Sequence, residues 1–118
     1  MITNGGLDEI SNVMGAQGTI PTHIAIGTGS STTGSMQTAL LTETDRNLLT
    51  DRDVSDAREV VYISDFSSLE MSGTTLREFG LFNAGSGGIM YERDVIGSVL
   101  FDGTNELQIQ ISHRYNRG

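Results

Sequence analysis

The sequence predicts a mainly β fold, an antiparallel β-sandwich or open barrel with one short N-terminal helix, and three observations carry that expectation. Gly, Ser and Thr contribute 15, 12 and 13 of the 118 residues while proline occurs once, at Pro21, a balance that favours strands and turns over long helices. Six or so short apolar runs recur along the chain, separated by turn-forming residues at the spacing of a small all-β domain. Leu, Ile, Val and Phe fill 30 positions, enough apolar surface for one modest core. At this length the chain is expected to form a single domain, 1–118.

The helix comes first. Leu7, Ile10, Val13 and Met14 fall on one face of a short amphipathic helix over about 6–15, with Asn4 as its cap, Asp8 and Glu9 in the positive first turn and Gly15 as its stop. So short a helix needs a surface to pack on. After Pro21, residues Thr22 to Gly29 read as a strand running into a turn, and Ser30 to Gln37 as a small, polar loop. Thr38 to Leu49 reads as a turn and a short strand, and Asp51 to Asp56 as turn chemistry.

From Arg58 a strand places Val60, Tyr62, Ser64 and Phe66 on one face and Val61 and Ile63 on the other. A Ser72-Gly73 turn then leads into Thr74 to Ala84, where Leu76, Glu78, Gly80 and Phe82 alternate with Arg77, Phe79 and Leu81, so the two strands are expected to form a long hairpin. Gly85 to Gly88 breaks the chain before Ile89 to Val95 and the separate short run Val99 to Phe101, and Asp102-Gly103 predicts a second hairpin. In the final strand Leu107, Ile109, Ile111, His113 and Tyr115 face one way, and Gln108, Gln110, Ser112 and Arg114 the other.

Charge narrows the function. Seven basic residues against fifteen acidic ones give a net charge of −8, and all seven cations are arginines scattered among carboxylates. Nucleic acid is therefore not an expected partner, because phosphate binding needs a basic stripe. A lysine-free, acidic composition suits a protein adapted to high salt, where hydrated carboxylates keep the surface soluble and salt screens their repulsion. The absence of cysteine removes disulfides, thiolate metal sites and cysteine nucleophiles. No basic stretch followed by an apolar one opens the chain, and no run approaches ~18 apolar residues, so a soluble protein with no membrane partner is expected.

The motifs that could carry chemistry are incomplete. Gly27-Thr28-Gly29 follows an apolar strand as a dinucleotide fingerprint does, but Thr32 stands at the third glycine and no helix pattern follows. Gly29 to Gly34 has the spacing of a phosphate loop, yet Ser35 occupies the place of the lysine. A glycine-rich turn with unusual backbone angles is expected there instead. Asp51, Asp53, Ser55 and Asp56 cluster like a calcium loop, but Asp56 replaces its glycine and Tyr62 its bidentate glutamate. His23 and His113 alternate with apolar neighbours and read as packed sheet residues, and Glu70, Glu78 and Glu92 are spread over different strands rather than paired for acid–base work. No catalytic residue, cofactor or metal is expected.

Two segments resemble something specific: His23-Ile24-Ala25-Ile26-Gly27-Thr28-Gly29, and Leu76 to Ala84 followed by Gly87-Gly88-Ile89-Met90-Tyr91-Glu92-Arg93. With the opening Thr3-Asn4-Gly5-Gly6-Leu7, which carries one inserted residue, they resemble small tail proteins of tailed bacterial or archaeal viruses. In that group a "T-N-x-G-L" helix, an "I-A-I-G-T-G" strand, a polar loop and an "E-x-G-L-F-N-A…G-G-x-M…R" hairpin occur in this order. The likeness spans about 90% of the chain and departs from the pattern in the acidic stretch Asp45 to Asp56.

The resemblance implies a non-enzymatic virion component of the tail tip, baseplate or fibre attachment region, assembled in the host cytoplasm. Its expected partners are copies of itself, as a trimer or ring, and other tail proteins of the virion, and its composition would suit a salt-loving host. Gly80 among bulky neighbours suggests close approach of another backbone or a bulge, and Phe79 and Phe82 are either both core or, if so small a core does not cover both, one of them faces a partner subunit. The candidate interface is accordingly Phe79, Gly80, Leu81, Phe82, Asn83, Met90 and Arg93. Two alternatives compete: a module binding host-surface glycan or protein through Ser30 to Gln37 and Asp51 to Asp56, and a small hydrolase using Glu78 or His113.

Overall fold

A computed structural model describes residues 1–15, 18–54, 58–67, 73–100 and 106–114. It contains the helix α1 (Asn4–Met14) and strands β1 (His23–Gly27), β2 (Glu43–Leu48), β3 (Asp51–Asp53), β4 (Glu59–Phe66), β5 (Thr75–Phe82), β6 (Met90–Leu100) and β7 (Leu107–Arg114). Two antiparallel sheets pack together, one in the order β2-β1-β5-β6 and the other β3-β4-β7. The fold is the expected sandwich and is not closed into a barrel.

Between the sheets lie Ile24, Ile26, Tyr62, Phe66, Leu76, Leu81, Tyr91, Ile109 and Ile111. The alternation read in β4 and β7 holds: Tyr62, Ser64 and Phe66 are buried on one strand, and Ile109, Ile111 and His113 on the other, while Gln108, Gln110, Ser112 and Arg114 face water. A second cluster, Ala25, Leu40, Phe82 and Met90, lies on the opposite face of the four-stranded sheet. There the 28–42 segment folds back over the strands and brings Leu40 with it, so this sheet is covered on both sides.

Strand pairing departs from expectation. β4 pairs with β3 and β7, whereas β5 pairs with β1 and β6, so β4 and β5 lie in different sheets and do not form a hairpin. β6 is one continuous strand, not two runs, and it pairs with β5 while β7 pairs with β4. The expected Asp102-Gly103 hairpin is thus absent as a pairing, although the turn residues themselves lie outside the described residues, as do Ser72, Glu70 and Tyr115. β5 has apolar side chains on both faces, and its place in the other sheet lets one face meet the β4–β7 sheet and the other the 28–42 segment.

Asp51 to Asp53 is strand rather than turn, paired with Val61 to Ile63. In β5 and β6 a register irregularity opposite Arg77 changes the parity, so Leu76 joins Phe79 and Leu81 on the core side instead of Glu78 and Phe82. Such an irregularity re-aims every side chain beyond it.

The helix also differs from its prediction. Thr3, not Asn4, is the cap: its backbone is extended and its Oγ1 accepts the Gly6 N–H at 3.0 Å. Gly6 lies against the main chain of Tyr91, where a Cβ would meet the carbonyl oxygen at 2.4 Å. That contact turns Leu7 and Met14 outward, 55% and 84% exposed, and buries Glu9. Ile10 keeps its packing on the core.

Candidate functional site

The residues that carry the sequence motifs converge on one buried ion pair. Glu78 of β5 and Arg93 of β6 are 0% and 1% exposed, and Arg93 Nε donates to Glu78 Oε1 at 2.9 Å. The backbone N–H of Gly29 and that of Thr42 donate to Glu78 Oε2 at 2.8 Å each, and the Leu41 N–H donates to Oε1 at 2.9 Å. Burial alone would raise the Glu78 carboxyl, but the Thr42 N–H, the Arg93 guanidinium and the Leu41 and Gly29 N–H groups together hold it below the ordinary carboxylate range. Arg93 Nη1 in turn donates to the carbonyls of Ser31 and Thr32 and to Gln37 Oε1, at 2.9, 3.4 and 3.3 Å. Both ends of the polar loop are therefore tied to a pair of charges buried beneath it.

This geometry explains the glycines. A Cβ at Gly27 would meet the Thr42 carbonyl at 2.3 Å, and one at Gly29 would meet Glu78 Oε2 at 2.5 Å. Neither has positive φ; among the described residues that conformation belongs to Gly73, Gly87, Gly88 and Arg58. The expected unusual backbone angles at Gly27-Thr28-Gly29 are corrected to close approach: the loop must come near enough to give its N–H groups to a carboxylate. Gly80 serves similarly, since its Cβ would meet Leu40 Cδ2 at 2.9 Å and the Glu92 carbonyl at 3.0 Å.

The candidate interface residues are used inside the chain. Gly80, Leu81, Phe82, Met90 and Arg93 are buried, while Phe79 is half-buried against the core. Asn83 accepts the Ile89 N–H at 2.8 Å and donates to Thr19 Oγ1 at 2.7 Å, fastening the β5–β6 turn. Arg46 of β2 lies over the Phe82 ring, 3.7 Å from its centre, and donates to the carbonyls of Ala84 and Gly87. Phe82 is covered because the 28–42 segment adds a layer on its face of the sheet that sequence periodicity does not reveal, while Phe79 packs half-buried against the core on the other face.

A second polar pair lies between the sheets. Nε2 of His113 on β7 is 2.6 Å from Oε1 of Glu92 on β6, and the Tyr62 ring meets the imidazole edge-on at 5.4 Å. Burial works to raise Glu92, yet its bonds to His113 and Asp94 hold it at about 2. Burial and the neighbouring Glu92 push Asp94 up to about 6, against the pull of the Met1 ammonium, which donates to it at 2.6 Å. Beside this pair a groove of about 530 Å³ opens between α1 and the sheets, lined by Ile10, Val13, Met14, Ile20, Tyr62 and His113 among others.

His23 is apart from both clusters, with Nδ1 2.7 Å from Thr22 Oγ1; burial and then Arg46 lower its pKa. Asp51 and Asp53 stand on an edge strand, and a strand does not wrap a cation as a calcium loop does; Ser55 and Asp56 lie outside the described residues. Among the described residues no cluster of three or more His, Asp or Glu side chains is placed to hold a metal. Comparison with protein-family models and with curated proteins finds no match.

Proposed function

We propose that the protein is a non-enzymatic structural subunit of a viral tail, at the tail tip, baseplate or fibre attachment region, working through contacts with copies of itself and with neighbouring virion proteins. The observation that supports this reading is the Glu78–Arg93 pair. The strand glycines, the E-x-G segment and the distant arginine that carry the resemblance all serve to fix one loop over one sheet. Both Glu78 oxygens are taken by four donors at 2.8–2.9 Å, which leaves the carboxylate no free lone pair directed at a substrate. What such a motif supplies is a rigid surface. Mass spectrometry and a cryo-EM map of purified particles test the reading: ordered copies in the tail are expected, and absence from the particles overturns it.

A second reading, a host-surface binding module, draws on the same anchoring. The loop is held from below while Ser30, Ser31, Thr32 and Met36 are presented outward, Met36 at 85% exposure. Glycan arrays separate the two, since a pure assembly subunit captures no glycan.

A further inference from the structure

We propose that β7 pairs, edge to edge and antiparallel, with β7 of a second copy about a two-fold axis through Gln110. The inference deepens the assembly reading above and rests on it. β7 ends its sheet, paired along its full length with β4 and without a register shift. Among the described residues no backbone group of Leu107 to Arg114 bonds on the side away from β4. Every second residue of such a strand turns its N–H and C=O outward, a template for a further strand.

The other edges are less suited. The N-terminal segment covers β6 at Tyr91 to Arg93, through the Ile2–Glu92 bridge and the flanking backbone bonds of Met1 and Thr3, and β6 is irregular again opposite Arg77. β3 has three residues, and β2 carries two carboxylates, Glu43 and Asp45. β7 has eight residues, with neither proline nor glycine, and the chain has no lysine with which to blunt it.

Register supplies the choice of partner. An antiparallel pairing that keeps core side chains on the core face must set odd residues against odd ones. Centred on Gln110, it opposes Ile109 to Ile111, Leu107 to His113 and Gln108 to Ser112. It also brings Glu106 opposite Arg114 twice, once on each side of the axis. Shifting the axis to Ile109 or Ile111 sets Glu106 against Ser112 or leaves Arg114 against Gln108, and both charge pairs are lost. In a chain of net charge −8, this is a contact at which two copies meet through opposite charges rather than through repelling carboxylates. Arg114 Nη2, held by Glu59 at 2.8 Å, is already set on the outward-facing side of the sheet. The product is a continuous six-stranded sheet joining two sandwiches by an isologous contact, which closes a dimer or couples two rings.

Because the protein lacks cysteine, single-cysteine variants report the register directly. Under mild oxidation Gln110→Cys is expected to give a disulfide-linked dimer, Ser112→Cys alone to remain largely uncoupled, and a mixture of Gln108→Cys and Ser112→Cys to couple with each other. In sedimentation of the cysteine-free protein, Glu106→Arg is expected to lower the proportion of dimer and the swap Glu106→Arg/Arg114→Glu to restore it. Coupling at all positions alike, or failure of the swap to restore the dimer, overturns the inference. An oligomer in which Gln110→Cys does not couple also overturns it but leaves the assembly reading standing; a protein that is monomeric at every concentration and absent from particles removes both.

Discussion

Arg93 reaches across from β6 to place Nε 2.9 Å from Oε1 of Glu78 on β5, and both side chains are sealed from water by the loop whose backbone they bind. Two charges buried together are tolerable only while each keeps its partner, since a lone buried charge forfeits its hydration without return.

Glu78→Gln is therefore expected to destabilise the protein by ~3–5 kcal/mol, because it leaves the Arg93 guanidinium unpaired and replaces an acceptor with a donor. Urea unfolding measures the loss, and amide exchange at Gly29, Leu41 and Thr42 should accelerate before the rest of the sheet. A loss below ~1 kcal/mol would show the pair to be dispensable.

Glycine substitutions should divide sharply. Gly27→Ala, which would put Cβ 2.3 Å from the Thr42 carbonyl, is expected to cost ~3 kcal/mol or more. At Gly97 nothing lies within 4 Å of an added Cβ, so Gly97→Ala should be neutral or stabilising by up to ~1 kcal/mol. Thermal melts of the two variants, side by side, check the contrast.

Stability should depend on pH in two opposed ways. Glu92, at about 2 against an ordinary 4.5, contributes stability that is complete above the ordinary value and lost as pH falls through about 2. Asp94, at about 6 against 3.8, contributes stability that is complete below 3.8 and lost as pH rises through about 6. Asp94→Asn should remove the second effect, so its stability relative to the parent grows from about pH 4 to pH 6.5 and then levels. Parallel profiles for the two proteins would refute the assignment.

Phe82 is 1% exposed, packed with Ala25, Leu40 and Met90 beneath the Arg46 guanidinium. Phe82→Ser is expected to cost ~3–5 kcal/mol in folding. Light scattering should show the oligomer mass of the remaining folded fraction unchanged; a well-folded variant with reduced mass would return Phe82 to the interface.

With fifteen carboxylates and no lysine, the melting temperature should rise between low and molar KCl as surface repulsion is screened. A flat series would count against adaptation to high salt.

Much of the sandwich was legible in the sequence because β4 and β7 state their faces by simple alternation. Their partners were not. Nothing local in Tyr62 or Ile111 encodes that these residues lie opposite each other, and the turn residues between β4 and β5 were equally compatible with a hairpin and with a crossing between sheets. Half of the Glu78–Arg93 site carried a readable signal: a carboxylate on a strand among Leu76, Gly80 and Leu81 must find an opposite charge, whereas Arg93, between Glu92 and Asp94, looks locally satisfied. Gly27 and Gly29 misled because turn glycines and close-approach glycines look identical until the group they approach is known. Glu9 was missed for a related reason: its placement in the first helical turn suggested a solvated dipole partner, whereas it is buried and accepts from Asn12 and Thr19.

The threefold crossing of the chain between sheets has a kinetic consequence. The pairings β1–β2, β3–β4 and β5–β6 join neighbours in sequence, but β1 must also wait for β5, and β4 for β7, each some fifty residues downstream. Loop closure over such separations comes before the contacts that reward it, so refolding from denaturant should be slow for so short a chain. During synthesis β1 and β2 emerge long before β5 can cover the other edge of β1, and newly made protein should depend on chaperones more than a helical bundle of equal length does.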